Sequence, residues 1–293
     1  MSTRDFELNP NAATSPAVRR ATFVGLTAGA TTALGAAVKG LAQTAPPMGQ
    51  THPPLVAEDD PRIATAQAQL AVGNTTISAY AAWPARSGPA TPSMVVAMHV
   101  WGVDTSIRDC VRRFAKSGVA AIAPDLYGRF GAPSGDGRSD SDAFRAFATR
   151  LERAQYVADL VAGDTWLKAK FPETKTGIVG FCMGGHIALA TAVDAGARFV
   201  AVFPFYGSVD GIAADSLHIP VCGSYGARDT GIPAAEVRAF AAALAVPHDI
   251  RIYDEAGHAF FDDQRARYVP SAAQDAWKRT LAFLATYAGP PTT

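Results

Sequence analysis

The sequence predicts an α/β fold, a mostly parallel sheet with helices on both faces. Three observations point to it. Apolar runs near 94–99, 119–124, 176–181, 199–205, 219–224 and 249–253 alternate with segments of helical periodicity. The run Thr176-Gly177-Ile178-Val179-Gly180-Phe181 passes through a tight turn at Cys182 straight into a helical pattern. A chain of 293 residues with 48% hydrophobic content has enough apolar material for one large unit of this class.

Taken in order, the first 45 residues differ from the rest. A polar start ends in Arg19-Arg20, followed by a mild apolar run from Ala21 to Val38 and small residues around Gly40-Leu41-Ala42. This is the order of an export signal, and the paired arginines resemble a twin-arginine signal. Phe23 comes one residue later than that pattern expects. Residues 1–45 are therefore set apart from the fold, and an exported, periplasmic protein is expected. Residues 46–293 are expected to form a single domain.

Residues 46–62 are Pro-rich and read as an extended lead-in. Strand-like runs at about 66–72 and 76–83 flank Gly73-Asn74, a hairpin signal. In 105–117, Ile107, Cys110, Val111, Phe114 and Ala115 recur at helical spacing, with Gly118 as a stop. Residues 142–170 predict one long helix or two, carrying Phe144, Phe147, Leu151, Val157 and Leu160. The last helix, about 271–287, places Trp277, Leu281 and Leu284 on one side.

Composition narrows the function. Basic and acidic residues balance at 26 each, which argues against a nucleic-acid surface. Three widely spaced cysteines make neither a disulfide framework nor zinc-ligand pairs. The body has no apolar run of about 18 residues, so no membrane span is expected there.

The turn at Cys182 carries the chemistry. Glycine stands two residues before it and two and three after it, where bulk would clash with a sharp strand-to-helix turn. The helix N-terminus favours a thiolate there. In an open parallel sheet, ligands bind beyond the carboxyl ends of the strands. Cys182, Asp229, His258, His99, Trp101 and Arg129 all follow strands. His218 and His248 precede theirs and are expected at the opposite edge. A nucleophile, an acid and a histidine in that order match the α/β-hydrolases. His258 would take the thiol proton and Asp229 would fix its tautomer, with Asp254 a poorly placed rival. The amides of Met183 and Val100 would form an oxyanion hole. His186 is expected at the pocket or in solvent, Cys110 and Cys222 in the core.

With these residues in place, the chain resembles the dienelactone hydrolase family over about 76–288. The motifs that carry the resemblance are Gly180-Phe181-Cys182-Met183-Gly184-Gly185, Asp125-Leu126-Tyr127-Gly128-Arg129, Tyr225-Gly226-Ala227-Arg228-Asp229 and Gly257-His258-Ala259-Phe260. The resemblance implies a Cys182–His258–Asp229 triad that opens a small-molecule lactone or ester through an acyl-enzyme, without metal or cofactor. It also implies that Arg129 binds a substrate carboxylate, with Tyr127, Trp101 and His99 lining the site. Two positions depart from the family. His99 stands where the family has a glutamate that holds the resting thiol, so His99 is expected to hydrogen-bond Cys182 or act as an auxiliary base. Asp262 replaces a second arginine, with Arg265 and Arg267 close by in sequence. The Gly-, Ser- and Asp-rich stretch 128–142 is a candidate cover for the site. Two other functions fit the same residues: a broad carboxylesterase or thioesterase without lactone preference, and a redox or ligand-binding protein using Cys182 as an oxidisable thiol.

Overall fold

The computed structural model describes residues 48–132 and 141–292. The export-signal segment 1–45 lies outside these residues, as does 133–140 of the candidate covering stretch. Eight strands form one sheet: β1 (Ile63–Val72), β2 (Thr75–Pro84), β3 (Ser93–Ala97), β4 (Ala120–Pro124), β5 (Thr176–Phe181), β6 (Val202–Phe205), β7 (Val221–Gly226) and β8 (His248–Tyr253). Their order across the sheet is β1-β2-β4-β3-β5-β6-β7-β8. The β1–β2 and β2–β4 pairs are antiparallel and every other pair is parallel. Gly73-Asn74 closes the expected hairpin, pairing Val72 with Thr75.

The central strands are buried at every position, as in β3 and β5, because helices cover both faces. The helices are α1 (Thr105–Lys116), α2 (Ser141–Ala148), α3 (Arg153–Lys170), α4 (Met183–Ala195), α5 (Ala234–Ala243) and α6 (Pro270–Ala288). The region 142–170 thus divides into two helices, and β6 starts at Val202 rather than near 199. α1 is capped by Asp104, whose Oδ1 accepts from the Ile107 amide at 3.0 Å. It ends at Gly118, φ +85°, where a Cβ would lie 2.4 Å from the Thr292 carbonyl oxygen. Phe114 of α1 meets Trp277 of α6 with ring centroids 4.5 Å apart, joining two helices on one side of the sheet. α3 packs across β3 and β4: a Cβ on Gly163 would approach Pro124 and Ile122 at 3.0 and 3.3 Å.

The Pro-rich lead-in is tied down by buried charge. Arg112 on α1 donates to the Val56 carbonyl at 2.6 Å, to the Tyr80 hydroxyl at 2.9 Å and to Glu58 at 2.9 Å. An arginine buried this deeply persists because its donors are met. Among the described residues, no helix is long and apolar enough to cross a membrane.

Candidate active site

β5 delivers the chain to Cys182 at the carboxyl end of the sheet, and α4 begins one residue later. The backbone at Cys182 has φ +57° and ψ −119°, a strained geometry for a non-glycine residue. The flanking glycines are steric necessities. A Cβ on Gly180 would sit 1.8 Å from the Gly184 carbonyl oxygen, and one on Gly184 would sit 2.2 Å from that of Ala97. Anchoring comes from the neighbouring strand, through the Cys182 amide to the Phe205 carbonyl at 3.0 Å.

Two loops bring the partners in. The loop after β7 holds Asp229, and the loop after β8 holds His258. His258 Nδ1 donates to Asp229 Oδ2 at 2.7 Å, and His258 Nε2 lies 3.0 Å from Cys182 Sγ. The second Asp229 oxygen accepts from the amides of Gly231 and Ile232 at 2.9 and 3.1 Å, which fixes the carboxylate. The electrostatics follow from these contacts. Burial works against charge on the His258 ring, but the bonds to Asp229 and Cys182 overcome it and raise its pKa to about 10. Burial likewise opposes charge on Asp229, yet the His258 bond and the two amides hold its carboxyl below the usual range. The rival Asp254 is exposed, and its carbonyl accepts from Arg228.

Strain marks the whole site. Among the described residues, the non-glycine positions with positive φ are Cys182, Tyr206 and Ala259. All three line one cavity of about 570 Å³, together with His258, His99, Val100 and Trp101. Tyr206, whose ring packs edge-on to His258 at 5.3 Å, was not anticipated from sequence. It follows β6, so the strand-end rule that located Cys182 would have found it.

The candidate amides share a common geometry. The His99 carbonyl accepts from the Gly102 amide at 3.1 Å, and the Cys182 carbonyl accepts from the Gly185 amide at 2.9 Å. In a planar trans peptide the following N–H points the opposite way. The amides of Val100 and Met183 are thereby turned away from those bonds. The Tyr127 hydroxyl donates to the Val100 carbonyl at 3.0 Å and further fixes this loop.

Other expected site residues are placed differently. Arg129, expected to meet substrate, makes a buried ion pair with Asp159 of α3 and does not line the cavity at Cys182. Burial pushes the Asp159 carboxyl up to about 6, against the pull of Arg129. Tyr127 is fully buried against Phe144 and Phe147 and supports the Val100 loop rather than lining the cavity. His99 does line the cavity, but its Nε2 lies 2.9 Å from Asp104 Oδ1, whereas the contact with the Cys182 sulfur is made by His258. The expected His99–Cys182 hydrogen bond is thus replaced by a His99–Asp104 pair. Trp101 lies at the cavity with Arg145 over its ring at 5.3 Å and Arg265 at 5.0 Å. Asp262 accepts from Arg265 Nε at 3.1 Å, and Arg267 also reaches the cavity wall. His186 Nδ1 donates to the Ser208 carbonyl at 3.0 Å, and the ring lines an adjoining cavity. His218 and His248 are exposed, away from the cavity at Cys182. Cys110 and Cys222 are free and buried, and burial pushes both thiols up, Cys222 to about 12. Among the described residues no group of three or more His, Cys, Asp or Glu is placed to hold a metal ion.

Comparison with known proteins agrees with this architecture. The family model for the dienelactone hydrolase family matches residues 77–288. A protein of Salmonella typhimurium provisionally named carboxymethylenebutenolidase is 34% identical over 227 residues, covering 72% of this chain and 83% of its own length. A protein of Methylorubrum extorquens with the same provisional name is 34% identical over 238 residues, covering 75% and 80%. The crystal structure of a provisionally named dienelactone hydrolase from Klebsiella pneumoniae superposes with a TM-score of 0.70 at 32% identity, covering 77% of this chain and 99% of that one. An eight-stranded α/β-hydrolase sheet, a cysteine at its strained turn and these relatives lead to one assignment: the chain belongs to the dienelactone hydrolase family and is a carboxylic ester hydrolase.

Proposed function

We propose that the chain hydrolyses an anionic ester or enol-lactone with Cys182 as nucleophile, His258 as proton carrier and Asp229 as its orienting carboxylate. The observation that carries this reading is the continuous contact Asp229 Oδ2–His258 Nδ1–His258 Nε2–Cys182 Sγ, 2.7 and 3.0 Å long, at a strained turn. The raised imidazole and lowered carboxylate favour an imidazolium held by Asp229 beside the sulfur.

The thiolate attacks the carbonyl carbon, forming a C–S bond as the carbonyl electron pair moves to oxygen. The Val100 and Met183 amides meet that oxyanion. Collapse breaks the ester C–O bond, and the departing alkoxide takes the proton from His258. In a lactone this oxygen stays tethered to the acyl group. Water then attacks the thioester, giving its proton to His258, and the C–S bond breaks to release the acid and restore the ion pair. A thiolate departs more readily than an amide nitrogen, so activated esters suit the site.

Arg145 and Arg265, both within 5.3 Å of the Trp101 ring centre, with Arg267 on the same cavity wall, supply the cationic wall that Arg129 does not. Two guanidiniums gathered around one ring suit a carboxylate docked across the cavity mouth. The test compares a dienelactone and a neutral aryl ester on four variants. Cys182→Ala is expected to abolish both activities. Arg145→Ala and Arg265→Ala should each raise KM about 10-fold or more for the anionic substrate and little for the neutral one. Arg129→Ala should leave that ratio unchanged. If Arg129→Ala alone damages the anionic substrate, the cationic wall has been misassigned.

Residues 1–45 are read as an export signal for a periplasmic enzyme, on the strength of Arg19-Arg20 and the apolar run behind them. Replacing both arginines with lysine should hold the full-length chain in the cytoplasmic fraction. An unchanged periplasmic yield would remove the twin-arginine reading.

A further inference from the structure

The nucleophile stands at the junction of two cavities of contrasting chemistry. One, about 570 Å³, carries Arg145, Arg265, Arg267 and Asp262. The other, about 490 Å³, is walled by Val100, Ala148, Met183, Ile232 and the ring of Tyr206, with Thr149 and His186 at its polar margin. Five residues line both: Val100, Arg145, Cys182, Tyr206 and His258. The two spaces therefore meet at the sulfur and its proton carrier.

We propose that the substrate is two-sided, an ester with an anionic group on one side of the scissile carbonyl and an extended apolar group on the other. This deepens the hydrolytic reading above and rests on it. A small monocyclic lactone would occupy the charged cavity alone and leave the apolar one without a solute. Each cavity by itself is in the size range that encloses a small organic ligand. The walls also differ in how they are held. Ile232 is fixed through its amide to Asp229 at 3.1 Å, so the loop that orients the catalytic carboxylate also presents an apolar surface. Ala148 ends the helix that presents Arg145, so α2 places a charge where the two cavities meet and a small apolar residue in the second alone. Ala148 leaves room where a larger side chain at the end of α2 would fill the space.

The probes are two series of isomeric esters with alkyl chains of one to eight carbons. Monoalkyl succinates place the anion on the acyl half, and acyl derivatives of 3-hydroxypropanoate place it on the alcohol half. Neutral methyl esters of both serve for comparison. With the full chain, kcat/KM is expected to rise about three- to four-fold per methylene over the first few carbons in one of the series. That series identifies which half of the ester enters the apolar cavity. In Ala148→Trp the rise should flatten. The readout is the ratio of long-chain to short-chain kcat/KM in one preparation, so a loss of folded protein cancels. Flat profiles in both series, or a chain-length slope untouched by Ala148→Trp, would overturn the two-sided substrate while leaving Cys182 hydrolysis intact. Failure to hydrolyse any ester, or hydrolysis that persists in Cys182→Ala, would instead overturn the hydrolytic reading and this proposal with it.

Discussion

The two histidines that line the cavity around Cys182 are each paired with an aspartate, and the pairs are wired in opposite senses. His258 spends Nδ1 on Asp229 and presents Nε2 to the sulfur. His99 spends Nε2 on Asp104. Asp229 receives, besides His258, two amides from its own turn, so its geometry serves the histidine. Asp104 uses the same oxygen to cap α1 at Ile107. Similar residues at similar separations thus do different work. In the proposed mechanism one pair carries a proton to the reacting atom, while the other fastens the start of a helix. What decides the role is which ring nitrogen remains, and what it faces.

The comparison breaks most readily at His258. Replacing it with Gln should lower kcat/KM by about 10³-fold or more, because both the thiolate's counter-ion and the proton donor to the leaving group are lost. Replacing Asp229 with Asn should cost about 10²- to 10⁴-fold, by releasing the ring from its tautomer. Its pH dependence is more telling than its rate. With His258 raised to about 10, the imidazolium donor persists through neutral pH, and activity should fall on the alkaline side as the ring deprotonates. In Asp229→Asn the main partner that raises the ring is gone, so this alkaline limb should move down toward the ordinary histidine value of about 6.5. The same sign holds for stability. The raised His258 pKa contributes stability that is full below about 6.5 and is lost as pH rises through about 10. The lowered Asp229 carboxyl instead contributes stability that is lost as pH falls through the carboxylate range. A limb that stays in place in the variant would show that Asp229 does not set the ring's charge.

The second pair should respond in stability rather than chemistry. Asp104→Ala removes a helix cap and should destabilise the fold by about 1 kcal/mol, read by denaturant unfolding. His99→Gln should change kcat by less than about 10-fold, since the ring nitrogen nearest an acid here serves α1. A loss comparable to that of His258→Gln would make His99 a proton carrier after all, and the contrast between the pairs would disappear.

Much of this site was legible in the sequence because its backbone positions obey topology. Cys182, Asp229 and His258 each follow a parallel strand, and a parallel sheet gathers such residues at one edge. The glycines around Cys182 announced the turn that only small residues permit. Side-chain direction was not legible. Arg129 also follows a strand, yet its guanidinium turns to Asp159, 30 residues later on α3. That choice depends on how α3 docks over β4, which no local pattern encodes. Arg145 was missed for the same reason. It sits mid-sequence on a helix between two strands, and only the docking of α2 brings it over Trp101. Tyr206 satisfied the edge rule but gave no chemical signal, since a tyrosine after a strand resembles any core aromatic.

The left-handed backbone at Cys182, Tyr206 and Ala259 has a consequence for how the enzyme tolerates heat. Each such position costs on the order of 1–3 kcal/mol, and glycine would relieve much of it. At Ala259 the relief would come with a looser tether for His258, the residue just before it. A laboratory lineage selected on melting temperature alone would therefore drift toward glycine there and toward slower turnover. Thermal tolerance and turnover compete at this edge of the sheet, and the rest of the molecule must supply the rigidity that these three residues draw upon.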